Sequence, residues 1–354
     1  MNELFDILKA LQDSKHRKVL ATINDVEGSS YRKEGTMMLY VEDGTKIGLL
    51  SGGCLENDLT VRADEVIKEK TSRTIVYDMK SEDDLAFGQG SGCNGTISVL
   101  LELVDTKLEK HLKKVENYLK QGISVLHVKR LSEFGTVLDY IFITQDQKAF
   151  GEWCGEYPAE LTQLFSKCKK SISYLENVPD RYFIQVFKPK PRLIIFGAGP
   201  DVRPLVSFAN KTGFTIIIAD WRPAYCNETY FPDATDIILN PCSFLSNFSF
   251  SLNDSVIIMT HSFQKDQEIL NTLFQKRVNY LGVLGPRKRT YRLLDGRDIP
   301  DWLHSPVGLP IGAEGPEEIA VSILADVIKA VRKRDQHDFW NIPSSRPEQK
   351  NGVS

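Results

Sequence analysis

An apolar stretch that runs directly into a glycine turn is the feature that most constrains the fold of this chain. Leu193 to Phe196 precedes Gly197-Ala198-Gly199. Continuous apolar runs are typical of strands in parallel sheets, because helices cover both faces of such sheets. Here Gly197 allows a tight turn, and Gly199 lets backbone N–H groups approach a phosphate at the start of the next helix. The motif predicts a Rossmann-like domain that holds a phosphate-bearing cofactor.

Strands and helices alternate through the second half of the chain. Strands are predicted at 192–196, 215–219, 237–239, 255–260 and 280–284, and a final helix at 316–331. Such alternation is typical of a parallel sheet covered by helices. The stretch Lys188-Pro189-Lys190-Pro191 has the composition of a linker. We therefore predict an N-terminal domain over residues 1–187, a Rossmann-like domain over 188–334 and a polar tail over 335–354.

The first half mixes helix and strand signals without regular alternation. We expect a helix near 4–11, a strand at 19–23, a hairpin from 36–41 and 46–50, a helix after Cys54, and strands at 74–79 and 96–104. The signals are weaker over 107–187, where helices at 108–119 and 159–168 and strands at 123–128 and 137–143 are expected. The predicted fold class is α/β, with a mixed α/β N-terminal domain followed by a Rossmann-like parallel-sheet domain.

Composition narrows the classes of function. The net charge of −3 shows no basic excess, which argues against nucleic acid as the main partner. The N-terminus lacks the basic start and apolar core of a secretion signal, and no apolar run approaches a membrane span, so we expect a cytoplasmic protein with no membrane partner. The length of the chain and the absence of a secretion signal disfavour a disulfide framework, and the six cysteines form no CxxC pair, which disfavours a closed zinc site.

Asp220 ends the second predicted strand of the Rossmann-like domain, about where an acceptor for a ribose hydroxyl is expected. Its negative charge would repel the 2′-phosphate of NADP and so favours NAD, although Arg222 nearby weakens that preference. Val202 stands where the third glycine of the motif belongs, and Pro200 removes one backbone donor, although proline is compatible with the first helical position. A domain of this topology that binds no dinucleotide therefore stays open as an alternative.

Two cysteines lie beside glycines. Cys54 follows Gly52-Gly53 and precedes a predicted helix, and Cys93 follows Gly92 in a glycine-rich loop. A thiol at a helix N-terminus has a lowered pKa, which favours the reactive thiolate. The backbone of the glycine-rich loop is suited to hold an anion. The alternatives are a small buried cysteine that fills a turn, and a tight connection between two strands.

Further polar residues follow the strands of the second half. His261 comes after the strand that ends at Thr260, and Arg287 begins a basic cluster after the strand that ends at Leu284. Open α/β sheets bind ligands at the carboxyl ends of their strands, so Arg287 is a candidate for phosphate binding and His261 for acid–base chemistry. A hydrogen-bonded structural histidine and a solvated helix start are the alternatives.

Short sequence blocks over nearly the whole chain form a combined pattern. They are GSSYR at 28–32, Gly35, Met38, LLSGGCLE at 49–56, FGQGSGCNG at 87–95, FGAG at 196–199, ADWR at 219–222, TH at 260–261, LGVLG at 281–285, GLPIGA at 308–313 and PEEIA at 316–320. Together they resemble the xanthine dehydrogenase accessory factor family (XdhC/CoxI). The resemblance implies a maturation factor that binds molybdenum cofactor (molybdopterin), holds it for sulfuration and helps insert it into a molybdenum hydroxylase. By that resemblance Cys54 is the leading contact to the cofactor and its molybdenum, and Cys93 is the second.

The leading interpretation is a cofactor-binding chaperone that does no multiple-turnover catalysis. Whether the protein is also an enzyme stays open. One alternative is an NAD(P)-dependent oxidoreductase, which Gly197, Gly199 and Asp220 support, although no hydride-transfer constellation is evident. The other is a sulfurtransferase that carries a persulfide on Cys54. The resemblance implies a xanthine dehydrogenase-type hydroxylase as partner. A cysteine desulfurase and a second copy of the chain, in a homodimer, are further candidate partners.

Overall fold

The computed structural model describes residues 2–13, 15–53, 55–79, 95–157, 171–174 and 181–336. The chain forms two compact units, Met1–Pro189 and Lys190–Ser354. Three of the predicted site residues, Cys54, Gly92 and Cys93, lie outside the described residues, as does the helix expected at 159–168.

The first unit begins with a five-stranded antiparallel sheet. Its strands are β1 (Lys18–Gly28), β2 (Met37–Val41), β3 (Lys46–Gly48), β4 (Arg73–Asp78) and β5 (Gly95–Leu103), in the order β3-β2-β1-β5-β4. The same part of the chain contains helices α1 (Asn2–Asp13) and α2 (Glu56–Glu69). Apolar residues of α2 spaced three or four apart, Leu59, Ala63 and Val66, are buried against the sheet. The predicted hairpin of β2 and β3 is confirmed.

A second antiparallel sheet completes the first unit. Its strands are β6 (Val125–Leu131), β7 (Val137–Thr144), β8 (Ala149–Glu152), β9 (Ser171–Tyr174) and β10 (Arg181–Phe187), in the order β8-β7-β6-β10-β9. Helix α3 (Thr106–Lys120) precedes them, and the side chain of Asp105 caps it by accepting a hydrogen bond from the N–H of Leu108 at 2.7 Å. The sequence predicts α3, β6 and β7 but not the other three strands.

The second unit contains a six-stranded parallel sheet. Its strands are β11 (Arg192–Phe196), β12 (Thr215–Ala219), β13 (Asp236–Ile238), β14 (Asp254–Ile258), β15 (Tyr280–Val283) and β16 (Leu303–His304). The helices are α4 (Val202–Lys211), α5 (Pro241–Asn247), α6 (Phe263–Leu273), α7 (Arg287–Leu293) and α8 (Gly315–Gln336). The Rossmann-like parallel-sheet domain predicted from the glycine turn is therefore confirmed.

Two hydrophobic cores explain why the central strand β11 is a continuous apolar run. Leu193 and Ile195 belong to the core that includes residues of α4 and α8, whereas Ile194 and Phe196 belong to the core that includes residues of α6 and α7. Successive side chains of a strand point to opposite faces, so a strand covered on both faces needs apolar residues at every position. The apolar pattern follows directly from this double coverage.

The order of the parallel strands positions the candidate site. The sheet runs β13-β12-β11-β14-β15-β16, so the first strand of the unit lies at the centre with the second on one side and the fourth on the other. This is the strand order of dinucleotide-binding sheets, in which the ligand crevice lies outside the carboxyl ends of the first and fourth strands. No helix in the described part of the chain is long and apolar enough to cross a membrane.

Candidate functional site

The turn after β11 passes very close to the end of β14. Gly197 has a φ of 127°, and a Cβ atom built on it would lie 2.3 Å from the carbonyl oxygen of Met259. The Gly197 N–H donates to the carbonyl of Ala219 at 2.9 Å, and the Met259 N–H donates to the carbonyl of Phe196 at 2.8 Å. Only glycine fits here, because both the positive φ and the close approach exclude a side chain.

Asp220 is fully buried beneath the same turn, and four hydrogen bonds engage its carboxylate. Oδ2 accepts from the Ala198 N–H at 2.9 Å and from Arg222 Nη2 at 2.7 Å, while Oδ1 accepts from the Arg222 N–H and Nε, each at 2.9 Å. The carboxylate raises the pKa of the Arg222 guanidinium through these hydrogen bonds. A ribose hydroxyl would have to displace one of these donors, so in this conformation Asp220 holds the glycine turn in place.

A second carboxylate lies over the glycine turn. Asp201 precedes α4, and one of its oxygens would lie 2.4 Å from a Cβ atom added to Gly199. Its other oxygen is 2.8 Å from Nε2 of His261, which adopts a φ of 63° at the end of β14. Pro200 and Asp201 both precede α4, which begins at Val202, so Pro200 does not take the first helical position. An anionic residue therefore directly precedes the first turn of α4, a position that the helix dipole favours, although the Asp201 side chain makes no capping hydrogen bond.

The basic cluster after β15 divides into a structural and an exposed part. Arg289 donates to the buried carboxylate of Asp266 at 2.6 Å, and Asp266 also accepts a hydrogen bond from the Thr260 hydroxyl. Arg287 is exposed and its Nη1 donates to the carbonyl of Ser305 at 3.2 Å. A buried carboxylate needs such a partner, because an unpaired charge in the protein interior is strongly destabilising. Arg287 remains the accessible cation of the pair.

In the first unit, the turn before α2 is organised by a serine and a glutamate. The Glu56 carboxylate, largely buried, accepts hydrogen bonds from the Ser51 N–H at 2.8 Å and from the Ser51 hydroxyl. The Ser51 oxygen accepts in turn from the N–H groups of Gly53 and Leu55 at 3.2 and 3.1 Å. Burial opposes ionisation of Glu56, yet the hydrogen bonds from Ser51 outweigh it and lower its pKa.

Gly52 and Gly53 lie on the open side of that turn. A Cβ atom added to either glycine would meet no atom within 4 Å. The open side of a turn at a helix N-terminus leaves room for the phosphate of a cofactor such as molybdopterin, although the N–H groups of Ser51, Gly53 and Leu55 are already engaged within the turn. Among the described residues, no group of three or more His, Cys, Asp or Glu side chains could hold a metal ion.

Sequence reasoning misses the partners that fix these two turns. The interpretation of Asp220 as a ribose acceptor does not include its pairing with Ala198 and Arg222, and Glu56 enters only as part of a block. The available signal is the short spacing of Asp220 to Arg222, and of Ser51 to Glu56. Such spacings do not show whether the two side chains meet, because that depends on the conformation of the turn between the two residues.

Comparison with known proteins decides the family. The chain is 44% identical over 335 residues to a protein of Bacillus subtilis strain 168 that is named as a probable subunit of xanthine dehydrogenase, covering 94% of this chain and 99% of that protein. The profile described as the XdhC and CoxI family matches residues 11–78, and the XdhC Rossmann domain matches residues 193–327. The chain belongs to the XdhC and CoxI family. The family predicted from the sequence blocks is thereby confirmed.

Two further relatives extend over most of this XdhC/CoxI family chain. A crystal structure described as a xanthine dehydrogenase (BH1974) from Bacillus halodurans superposes with a TM-score of 0.86 at 54% identity, covering 95% of this chain and 97% of that one. The BH1974-like central domain matches residues 106–188, which contain the second sheet. The molybdenum cofactor insertion chaperone PaoD of Escherichia coli strain K12 is 24% identical over 334 residues, covering 92% of this chain and 87% of PaoD.

Proposed function

We propose that this chain is an accessory factor that binds molybdenum cofactor and assists its insertion into a molybdenum hydroxylase of the xanthine dehydrogenase type. The names of two full-length relatives support the proposal, since one refers to xanthine dehydrogenase and the other to a molybdenum cofactor insertion chaperone. Holding the cofactor for sulfuration, with a cysteine desulfurase as the sulfur source, belongs to the same proposal. So does a cytoplasmic location, where such a client would be assembled.

The observation that carries this proposal is the turn that Ser51 and Glu56 organise at the start of α2. Cys54 is covalently placed between Gly53 and Leu55, whose N–H groups both donate to Ser51. A thiol beside the N-terminus of a helix is biased toward the thiolate. A thiolate is a soft ligand suited to a molybdenum centre.

In this proposal, different residues of the open turn contact different parts of the cofactor. The backbone at Gly52 and Gly53 would face the phosphate of molybdopterin, and Cys54 would contact the metal end. Cys93 and Gly92, which the family pattern pairs with them, would supply a second contact. The bound cofactor supplies the redox-active molybdenum centre of the client. The ionised Glu56 keeps Ser51 fixed, which holds the turn in one conformation while the cofactor is exchanged.

Cofactor binding by the purified protein tests this assignment. Cys54→Ser should weaken binding of isolated molybdenum cofactor about tenfold or more, because one ligand of about 1.4 kcal/mol is lost. Cys154→Ser is the matched control, since Cys154 is an exposed free cysteine, and it should bind as the wild type does. Equal affinity of wild type and Cys54→Ser would contradict the role of Cys54, and no saturable binding by wild type would contradict the proposed function.

No observation favours NAD(P)-dependent oxidoreduction as a second function. The acidic residue that would accept the ribose hydroxyls, Asp220, is buried and already accepts four hydrogen bonds. Gly197, Gly199 and Arg287 remain proposed contacts to a phosphate at the carboxyl edge of the parallel sheet. His261 has one assigned interaction, with Asp201, and no substrate contact is proposed for it.

A further inference from the structure

An apolar groove lies between α4 and α8 of the second unit, beside the loop that precedes α8. Its volume is about 390 Å³, and two residues of the loop and four of the helices line it: Phe208, Ile311, Ala313, Glu317, Glu318 and Val321. Ile311 and Val321 are 55% and 49% exposed, and Phe208 is partly buried against the core that α4 and α8 share. Exposed apolar surface with a polar rim is typical of sites that bind other molecules.

The loop that precedes α8 is fixed against that helix, so the groove is formed before a partner binds. The Leu309 N–H donates to the carbonyl of Ser322 at 3.2 Å, and the Ser322 hydroxyl donates to the carbonyl of Leu309 at 2.6 Å. Gly308 has a φ of 97°, and a Cβ atom added to it would lie 2.5 Å from Ser322 Oγ. The Ile311 N–H donates to the Leu309 carbonyl at 2.9 Å, which holds Ile311 at the groove. A preformed surface avoids the entropy cost of ordering a loop on binding.

The charge at the groove is negative. Glu317 and Glu318 lie in the first turn of α8, Glu314 directly precedes that helix, and all three are exposed. Glu318 accepts a hydrogen bond from the Glu314 N–H at 2.7 Å, and no ion pair within the described part of the chain neutralises any of the three carboxylates. The helix dipole favours carboxylates at this position. It does not account for the exposed apolar side chains of Ile311 and Val321 beside them.

Two kinds of occupant disagree with that charge. Anionic lipid surfaces attract basic segments, so they would repel the carboxylates of this groove. A second copy of the chain related by a two-fold axis would place the same patch against itself, and Glu317 and Glu318 would then face their own counterparts, which is unfavourable. The groove is instead complementary to a protein segment that carries an aliphatic or aromatic side chain beside Lys or Arg.

We propose that this groove docks the molybdenum hydroxylase client, through a segment of the client in which an apolar side chain is flanked by Lys or Arg. The apolar side chain packs against Ile311, Val321 and Phe208, and the flanking cations face Glu317 and Glu318. The identity of the client rests on the proposed accessory function, whereas the chemistry of its segment rests on the groove alone. Docking and cofactor binding then belong to different units of the chain.

Binding of the full-length protein to the molybdenum-free xanthine dehydrogenase encoded by the same genome, measured by biolayer interferometry, tests the proposal. Val321→Ser removes apolar contact area from the groove and should weaken binding about tenfold, mainly through faster dissociation. Val61→Ser is the matched control, because Val61 is an exposed valine on α2, and it should bind as the wild type does. Wild-type affinity of Val321→Ser, or no measurable binding by the wild-type protein, would overturn the proposal.

A second pair of variants tests the charge of the partner segment. Glu317→Lys should slow association with the same client about fivefold at low salt and much less at about 0.5 M salt, because salt screens the attraction between the carboxylates and the client's cations. Glu133→Lys, at an exposed position of the first unit, changes the net charge by the same amount and should associate as the wild type does. Equal slowing by the two variants, or none by Glu317→Lys, would overturn the assignment of a basic segment.

Binding of isolated molybdenum cofactor separates failure of this inference from failure of the proposed function. We expect Val321→Ser to bind the cofactor as the wild type does. If the wild type binds cofactor while Val321→Ser and Val61→Ser dock equally well to the client, the docking groove is overturned and the cofactor-binding function stands. If docking is weakened only in Val321→Ser but the wild type binds no cofactor, the docking groove is supported and the proposed function fails.

Discussion

At the scale of single residues, the surroundings of Asp220 rather than its position in the motif decide what it does in the free protein. Removing the carboxylate leaves the buried Ala198 N–H and the Arg222 guanidinium without their acceptor. Asp220→Ala should therefore lower the free energy of unfolding by about 2–4 kcal/mol in the absence of any ligand. Denaturant unfolding measures this. The exposed pair Asn210–Asp233 supplies the control, and Asp233→Ala should change stability by less than about 0.5 kcal/mol. Wild-type stability of Asp220→Ala would contradict the role assigned here.

His127 makes the stability of the protein depend on pH. It is buried and stacks on Phe142 with ring centroids 4.2 Å apart, and its Nε2 has no hydrogen-bond partner among the residues that the structure describes. Burial, and to a lesser extent Lys129, lowers its pKa well below the ordinary value. The unfolded chain therefore takes up a proton below about pH 6.5 that the folded protein does not. Stability that is present above that pH is lost as the pH falls toward the folded-state pKa.

The variant His127→Phe tests this pH dependence, because a phenyl ring keeps the stacking and removes the proton. Between pH 7 and pH 5 the wild type should lose more unfolding free energy than His127→Phe, as measured by urea denaturation at each pH. His16→Gln, a change at an exposed histidine, should behave as the wild type does. Parallel pH profiles for wild type and His127→Phe would show that His127 does not titrate on unfolding.

The residues that sequence reasoning identifies are those whose backbone chemistry fixes their role. Gly197 is one, because a positive φ and a close approach to Met259 demand glycine wherever the motif folds. For Asp220 the sequence predicts the position but not the partners. Its place after β12 follows from the pattern, whereas its hydrogen bonds depend on how the chain at residue 222 folds back towards it. The burial of His127 Nε2 cannot be predicted from the sequence, because it results from strands that meet only in the folded sheet.

At the scale of elements, the two glycines of the turn after β11 differ in what they tolerate. A methyl group at Gly197 would collide with the backbone of Met259, whereas one at Gly199 would collide with the movable carboxylate of Asp201 and otherwise meet the His261 ring at an ordinary contact distance of 4.0 Å. Gly197→Ala should destabilise the protein by about 2–4 kcal/mol, and Gly199→Ala by less than about 1 kcal/mol. Thermal and denaturant unfolding of the two variants measure the difference. Equal effects would contradict the close approach of β11 and β14.

Parallel strands are the elements most readable from the sequence. The bounds predicted for β11 and β12 agree with the structure, because strands covered on both faces carry a continuous apolar run, which stops here before Gly197 and before Asp220. By contrast β8, Ala-Phe-Gly-Glu, is half-exposed and contains a glycine, so it carries neither an apolar run nor alternation. Residues 182–187 of β10 do carry a strand signal, which the neighbouring linker composition obscures.

At the scale of the whole molecule, the sequence predicts the second unit better than the first. The parallel unit follows from local alternation of strand and helix, and its strand order is that of a known architecture. In the first unit, β6 pairs with β10, whose residues are far away along the chain. Such pairing leaves no local pattern, because it depends on which strands meet after the intervening segment has folded. Nor does local reasoning separate the second sheet from the first.

The family assignment gives the molecule a proposed task that rests on the first unit. There the turn at the start of α2 is proposed to hold molybdenum cofactor through Cys54.

Activation of a molybdenum-free xanthine dehydrogenase by isolated molybdenum cofactor, with and without this protein, is the decisive measurement for the proposed accessory function. We expect wild-type protein and Cys154→Ser to raise the yield of active hydroxylase, because a bound carrier protects and delivers the cofactor, and we expect Cys54→Ser to fail. Hydroxylase activity after a fixed incubation gives the yield. A yield no higher with the wild-type protein than with buffer would contradict the proposed function.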